Sequence, residues 1–265
     1  MPDDCWDRAA QSYADFWVPR LIPYYDDLVQ KSVPRAGERV LVTSVGPGAE
    51  LRAIAMAMGQ QGQLAATDPS PAMIEASREG LADMDIRMPV QLEVTDARDT
   101  LGRQWDLILS AFSLWQLPDR LEALRGWGRA VQPGGRVGIL VWGPPDLGGP
   151  FEKVSLALQQ SEPALGELVK AWNLAARQPM RDLLDQAGLK LVRHATVRHE
   201  MEFASADGFF AAMSRGCSFL RVVERLGVQR TERVAQAFFA LLDPPSPQTP
   251  LVFAPSATVA IAEPA

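Results

Sequence analysis

Short apolar runs separated by helix-length amphipathic segments fill residues 39–142, and this alternation constrains the fold more than any other feature of the chain. Arg39–Val45, Gln63–Thr67, Val90–Val94, Trp105–Ser110 and Arg136–Trp142 read as strands. Between them Glu50–Met58, Pro71–Met84 and Asp119–Val131 read as helices, with Pro71 in a first turn and Gly59 and Gly62 as a stop signal. Strand–helix repeats of this length require right-handed crossovers, and hence a parallel sheet covered on both faces. In such sheets ligands sit at the carboxyl ends of the strands.

The flanks follow other patterns. Residues 5–30 read as an aromatic-rich amphipathic arm carrying Trp6, Tyr13, Phe16 and Trp17, broken at Pro19 and Pro23. The 7- and 4-residue spacings of Trp6, Tyr13 and Trp17 predict one shared helix face. Beyond the alternating region, Phe151–Trp172 and residues 206–242 read as helical blocks. Met180–Ala187 reads as a helix feeding a strand at Leu189–Val197, and Ser256–Ala262 as a last strand. The organisation expected is an arm at 1–35, a core at 36–143, a helical cap insertion at 144–176, core helix and strand at 177–204, a second cap insertion at 205–249, and a final core strand at 250–265.

With 265 residues and 47% hydrophobic content the chain is long enough to bury a full core. Its 26 Lys and Arg against 32 Asp and Glu give a net charge of −6, without the basic cluster that phosphate neutralisation needs, so a nucleic-acid partner is not expected. Two cysteines (Cys5, Cys217) and two histidines supply neither a disulfide framework nor metal-ligand spacing. Asp3, Asp4 and Asp7 stand where a secretory leader would be basic. The longest uncharged stretch, Pro244–Ala262, holds five prolines and cannot span a membrane as a helix. A reduced, soluble, cytoplasmic protein with no membrane or metal partner is expected.

Three strand ends carry candidate chemistry. In Val40–Leu51 the turn Gly46-Pro47-Gly48 allows close backbone approach of a ligand where a helix begins. A dinucleotide fingerprint would need a third glycine where Leu51 stands, which counts against a dehydrogenase. Asp68, about 20 residues beyond Gly48, is placed to accept two ribose hydroxyls, or else to cap the helix that starts at Pro71. Asp96 and Ala97 follow the third strand, where a carboxylate and a backbone amide can meet an adenine edge, or Asp96 can simply form an Asx-turn.

These residues, with Ala66–Ala76, Trp105–Ser110, Leu117-Pro118-Asp119 and Val131–Arg136, carry a resemblance. Residues 36–143 resemble class I S-adenosylmethionine (SAM)-dependent methyltransferases of the ubiquinone-biosynthesis-like group. The resemblance implies a doubly wound α/β fold, Rossmann-like, with a seven-stranded, mostly parallel sheet whose last strand is antiparallel, here with an inserted helical cap. It implies SAM as cofactor, its methionine end near Ser44, Gly46 and Gly48, its ribose on Asp68 and its adenine beside Asp96 and Ala97. Ser110 would lie along the methionine moiety, and Tyr13 would be a lid contact.

Two departures stand out. Val42 occupies the position of the family's acid and Ser44 that of its first glycine. Trp115-Gln116 replaces a His-His pair common among relatives, so the imidazole base of that place is absent. Only His194 and His199 remain; His199, adjoining the second cap block, is the candidate catalytic base. Trp115, Trp142, Trp172 and Phe203 are the candidate substrate-binding residues, in an apolar pocket between the sheet's carboxyl edge and the cap. The activity implied is O- or C-methylation of a small, largely apolar metabolite, of the kind made in secondary-metabolite biosynthesis. The alternative raised by Val42 and Ser44 is a methyltransferase-like protein that binds SAM but catalyses a non-methylating reaction such as a cyclisation, or only binds its ligand.

Overall fold

A computed structural model describes residues 4–144, 146–164 and 177–265. They belong to two compact units. One is drawn from Leu21–Pro144, Asn173–Val197 and Ala257–Ala265, the other from Met1–Arg20, Pro145–Trp172 and Arg198–Ser256.

The first unit is built on a seven-stranded sheet. Its strands are β1 (Arg39–Thr43), β2 (Gln63–Asp68), β3 (Val90–Val94), β4 (Trp105–Ala111), β5 (Val131–Trp142), β6 (Leu189–Arg198) and β9 (Ser256–Pro264). Their order is β3-β2-β1-β4-β5-β9-β6. Pairings from β3 through β5 are parallel, whereas β9 runs antiparallel to β5, with Val137 opposite Ala262 and Trp142 opposite Ala257. This is the sheet the sequence implies. Val40, Leu41 and Val42 are wholly buried in succession, as a strand covered on both faces must be.

Helices α3 (Leu51–Ala57), α4 (Pro71–Ala82), α5 (Arg120–Ala130) and α7 (Arg177–Gln186) fall where the apolar periodicity predicts, with ends shifted by a few residues. On one face Leu41, Ile108, Val137, Ile139 and Val141 pack with Leu124 and Trp127 of α5 and Met180 and Leu184 of α7. On the other, α2 (Val18–Ser32) lies so close to β5 that a Cβ at Gly138 would collide with Ser32 Oγ and approach Leu109 Cδ2 to 2.6 Å. The expected breaks at Pro19 and Pro23 do not occur. Pro19 lies in the first turn of α2, and the buried face Leu21, Tyr24, Tyr25, Leu28 and Val29 offsets the backbone bond lost at Pro23.

A buried clamp ties the end of α2 to the amino ends of the strands. Arg136 donates bidentately to Glu38 (Nη1–Oε1 2.9 Å, Nη2–Oε2 3.0 Å) and also to the carbonyls of Ser32 and Val33. Burial alone would raise the Glu38 carboxyl, but the bonds from Arg136 and from the Arg35 backbone outweigh it and hold it below its usual range.

The second unit packs α1 (Cys5–Ser12), a π-helical turn at Tyr13–Trp17, α6 (Pro150–Ser161), α8 (Ala206–Arg215), α9 (Cys217–Leu226) and α10 (Val228–Ala240). It also holds a small antiparallel pair, β7 (Met201–Phe203) and β8 (Leu251–Phe253), which the sequence reading missed. The block read as one helical stretch is three helices, divided at Gly216 and Gly227. Trp6 and Tyr13 meet edge to face at 5.5 Å, as their spacing predicts. The wider π turn carries Trp17 into a cluster with Phe151, Phe203 and Phe209. No helix among the described residues is long and apolar enough to cross a membrane.

Removing Arg136 leaves the half-buried Glu38 carboxylate with its Arg35 contacts alone and takes a donor from two carbonyls. Arg136→Met is expected to lower unfolding stability by about 1–3 kcal/mol, read as a reduced urea midpoint at unchanged m-value.

Candidate functional site

Strand order reverses between β1 and β4, which run side by side while their chain connections leave in opposite directions. The crevice outside the carboxyl ends at such a reversal is where α/β sheets hold ligands. The residues bordering it are unusual in backbone conformation. Ser44 and Phe112, just after β1 and at the end of β4, both have φ near +52°, a region non-glycine residues seldom enter. Ser44 thus adopts a left-handed conformation at the position where the family's first glycine is expected.

Gly46 (φ +55°) and Gly48 (φ +78°) follow in the same loop, for different reasons. A Cβ on Gly48 would collide with Ser77 Oγ of α4 and come within 2.9 Å of Leu51 Cδ1, so this glycine lets α4 close on the loop. A Cβ on Gly46 would meet only Met73 Sδ at 4.0 Å, so that glycine serves backbone conformation alone.

Asp68 ends β2 and organises the loop across from it. Its Oδ2 accepts from Gly46 N–H at 2.9 Å and its Oδ1 from Ser70 N–H at 2.9 Å. The helix-capping role that the sequence left open for Asp68 falls instead to Ser70, whose Oγ accepts from Met73 N–H at 3.1 Å. Beside Asp68 lies a carboxyl that sequence reasoning missed. Glu50, the residue before α3, is 2% exposed, and burial pushes it up to about 8, with repulsion from Asp68 adding to the shift against the pull of its own backbone amide. Read as the start of a helix, it gave no sequence signal of burial.

Asp96 follows β3 and is exposed; its Oδ1 accepts from Arg98 N–H at 2.9 Å and from Arg98 Nε at 2.7 Å, which lowers its pKa. The Asx-turn reading is therefore realised. Ala97 is buried, with its carbonyl taken by Trp127 Nε1 at 2.7 Å. Ser110, at the carboxyl end of β4, pairs with Ser113 through a 2.6 Å hydroxyl contact. Trp115 follows in a 3-10 turn, Leu114–Gln116, and Trp142 closes β5 with its ring 4.4 Å from Phe112.

The sheet unit thus brings Ser44, Gly46, Gly48, Asp68, Asp96, Ala97, Ser110, Trp115 and Trp142 to the carboxyl ends of neighbouring strands. Tyr13, His199 and Phe203 belong to the other unit. There His199 lies half-buried between β6 and β7, and Phe203 sits in the aromatic cluster with the Arg20 guanidinium 3.9 Å from its ring centroid. Trp172 lies outside the described residues. Val42, at the place of the family's acid, is fully buried in β1.

Comparison with known proteins agrees with this geometry. A family described as a methyltransferase domain matches residues 42–137. The chain is 34% identical over 135 residues to the aklanonic acid methyltransferase DauC of a Streptomyces species, covering 50% of this chain and 60% of that protein's length. It is 30% identical over 192 residues to the ubiquinone/menaquinone biosynthesis C-methyltransferase UbiE of Coxiella burnetii, covering 70% of this chain and 76% of the relative. Among solved structures, a Bacillus halodurans protein assigned to the methyltransferases superposes with a TM-score of 0.61 at 13% identity, over 90% of this chain and 97% of the other. The [4+2]-cyclase SpnF superposes at 0.59 with 15% identity, over 94% of this chain and 83% of its own. Fold and relatives define a class I SAM-dependent methyltransferase. Within that class the chain belongs to the ubiquinone-biosynthesis-like, small-molecule group.

Glu50 gives the site a pH signature. Between about 4.5 and 8 the folded chain keeps a proton on Glu50 that the unfolded chain has released. Stability contributed by this group therefore falls as pH rises through that window, by up to about 1.4 kcal/mol per pH unit. In Glu50→Gln this slope is expected to vanish: urea midpoints of parent and variant should coincide near the acid end and diverge toward pH 8, the variant being the more stable.

Proposed function

We propose that the chain transfers a methyl group from SAM to a hydroxyl or activated carbon of a small, largely apolar metabolite, with SAM held at the loop between β1 and α3. The observation that carries this reading is the buried Asp68 carboxylate bonded to Gly46 N–H at the reversal of strand order. The residues fit the cofactor: a Cβ at Gly46 would meet only Met73 Sδ at 4.0 Å, so the loop backbone is uncrowded there, and the Asp68 carboxylate at the strand end is an acceptor of the kind ribose hydroxyls need. Asp68 then takes the ribose, Ser44, Gly46, Gly48 and Ser110 line the methionine portion, and Asp96 with Ala97 borders the adenine. When bound, SAM supplies an electrophilic methyl on a sulfonium.

The chain's own contribution is alignment and exclusion of water. Nothing at Trp115-Gln116 replaces the missing imidazole pair as a base, since an indole N–H only donates. An acceptor that is acidic by itself, or a carbon made nucleophilic by a neighbouring hydroxyl, suits such a site. The similarity to DauC, an aklanonic acid methyltransferase, and UbiE, a ubiquinone/menaquinone biosynthesis C-methyltransferase, supports a small-molecule acceptor.

One observation favours a second reading. Val42 puts a buried apolar side chain where an acid would help order the cationic end of SAM, and the fold is shared with a cyclase. Mass spectrometry separates the readings, because methyl transfer yields one S-adenosylhomocysteine (SAH) per product, while a cyclisation consumes substrate and yields none.

Asp68→Ala is expected to weaken SAM binding by roughly tenfold or more, the loss of an acceptor worth about 1–3 kcal/mol. Calorimetry reads this directly, and unchanged affinity would withdraw the ribose assignment.

A further inference from the structure

β3 closes one side of the sheet, and no described residue pairs with its outer edge. None of its 5 residues is buried, and Val94, though apolar, is 51% exposed. Its register with β2 runs without a break from Leu64–Val90 to Asp68–Val94, so no bulge turns the edge away. The strand also lacks proline and lysine, two devices by which exposed edges resist pairing. At the other side of the sheet β6 carries Lys190, Arg193 and Arg198, the kind of charged edge that repels a second copy.

The ladder fixes which groups the open edge offers. Thr95 N–H donates to the Asp68 carbonyl, so Gln91, Glu93 and Thr95 turn their backbone groups toward β2. Val90, Leu92 and Val94 therefore present theirs outward. Side chains alternate too. Gln91 stands beside Ala65, which packs in the layer with α5 and α7, so Gln91 and Glu93 share that face. Val90, Leu92 and Val94 share the opposite one. On the polar face Arg103 Nη1 donates to Gln91 Oε1 at 3.0 Å, and Gln91 Nε2 donates to Glu93 Oε1 at 3.0 Å.

We infer that β3 pairs antiparallel with β3 of a second copy of this chain, about a two-fold axis at Leu92, so that two sheets join into one. Only axes that set outward-pointing residues opposite one another complete the ladder, and the side chains choose among them. An axis at Glu93 sets two carboxylates directly opposite, which is destabilising. An axis at Gln91 leaves Val94 beyond the end of the other strand. The axis at Leu92 sets Leu92 against Leu92 and Val90 against Val94, and all three outward residues exchange both backbone bonds. It also sets Glu93 against Gln91 of the other copy, the residue that holds Arg103, so each carboxylate faces a guanidinium across the axis. The exposed Val94 is covered by Val90. The inference concerns assembly and is independent of the methyl acceptor.

Leu92→Cys tests the register. Opposite residues of a hydrogen-bonded antiparallel pair have Cα atoms about 5.5 Å apart, within disulfide reach. Under mild copper–phenanthroline oxidation the full chain carrying Leu92→Cys is expected to run as a covalent dimer on a non-reducing gel. Val94→Cys, at the more exposed position, stays monomeric like the parent, because its two copies lie about 14 Å apart. In sedimentation velocity the parent is expected to reach twice the chain mass as concentration rises. Glu93→Lys alters an exposed side chain and sets a cation toward Arg103 at two symmetric places, which weakens association roughly tenfold or more. A parent that sediments as a monomer at every concentration overturns the inference. Crosslinking of Val94→Cys as readily as Leu92→Cys, or a dimer that Glu93→Lys leaves as strong as before, also overturns it and places the contact on another surface.

Discussion

Two hydrogen bonds to one buried carboxylate hold the carboxyl end of the sheet together. Asp68 receives Gly46 N–H from the loop beyond β1 and Ser70 N–H from the turn into α4, while Val45 N–H reaches the Thr67 carbonyl at 2.9 Å. Because β1 and β2 are parallel and in register from Arg39–Gln63 to Thr43–Thr67, their carboxyl ends finish side by side, and a single side chain can serve both. The loop it restrains contains two glycines, which have the most conformational freedom to lose. Gly48 then admits Ser77 of α4 into contact, so loop, strand and helix settle as one piece.

The two ends of the sheet are built for different purposes. At the amino ends Arg136 engages Glu38 and two carbonyls, and Asp106 accepts from Arg39 N–H at 2.7 Å. At the carboxyl ends conformations are strained at Ser44 and Phe112, Glu50 is buried as an acid, and Trp115 holds an unpaired donor. Polar pairing marks one edge and backbone strain the other.

Most of the sheet unit was legible in the sequence because buried parallel strands are continuous apolar runs and glycine marks their turns. The reading erred where tertiary contacts override local preference. Pro23 sits inside α2 because five large side chains on that helix are buried around it. β7 and β8 escaped notice because each is only three residues long and its partner is remote in the chain. At the strand ends, the loop glycines Gly46 and Gly48 and the carboxylate Asp68 that restrains them could be picked out from spacing, since a left-handed turn demands glycine and an acid closes the strand beside it. The burial of Glu50 could not, because it belongs to the assembled structure.

The position of β9 sets an order of events during synthesis. β6 stands beyond β9 in the sheet, so it has no place to pair until β9 has been made, roughly 60 residues later, or about 3–12 s at usual rates of translation. Until then the nascent sheet ends at β5, a long apolar strand whose outer hydrogen-bonding edge is open. An edge of that kind invites pairing with other chains. The intervening helices emerge during this interval, and a chaperone that shields β5 would act in the same few seconds. A slower passage of the ribosome through the segment between β6 and β9 would lengthen the time for which that edge stays open.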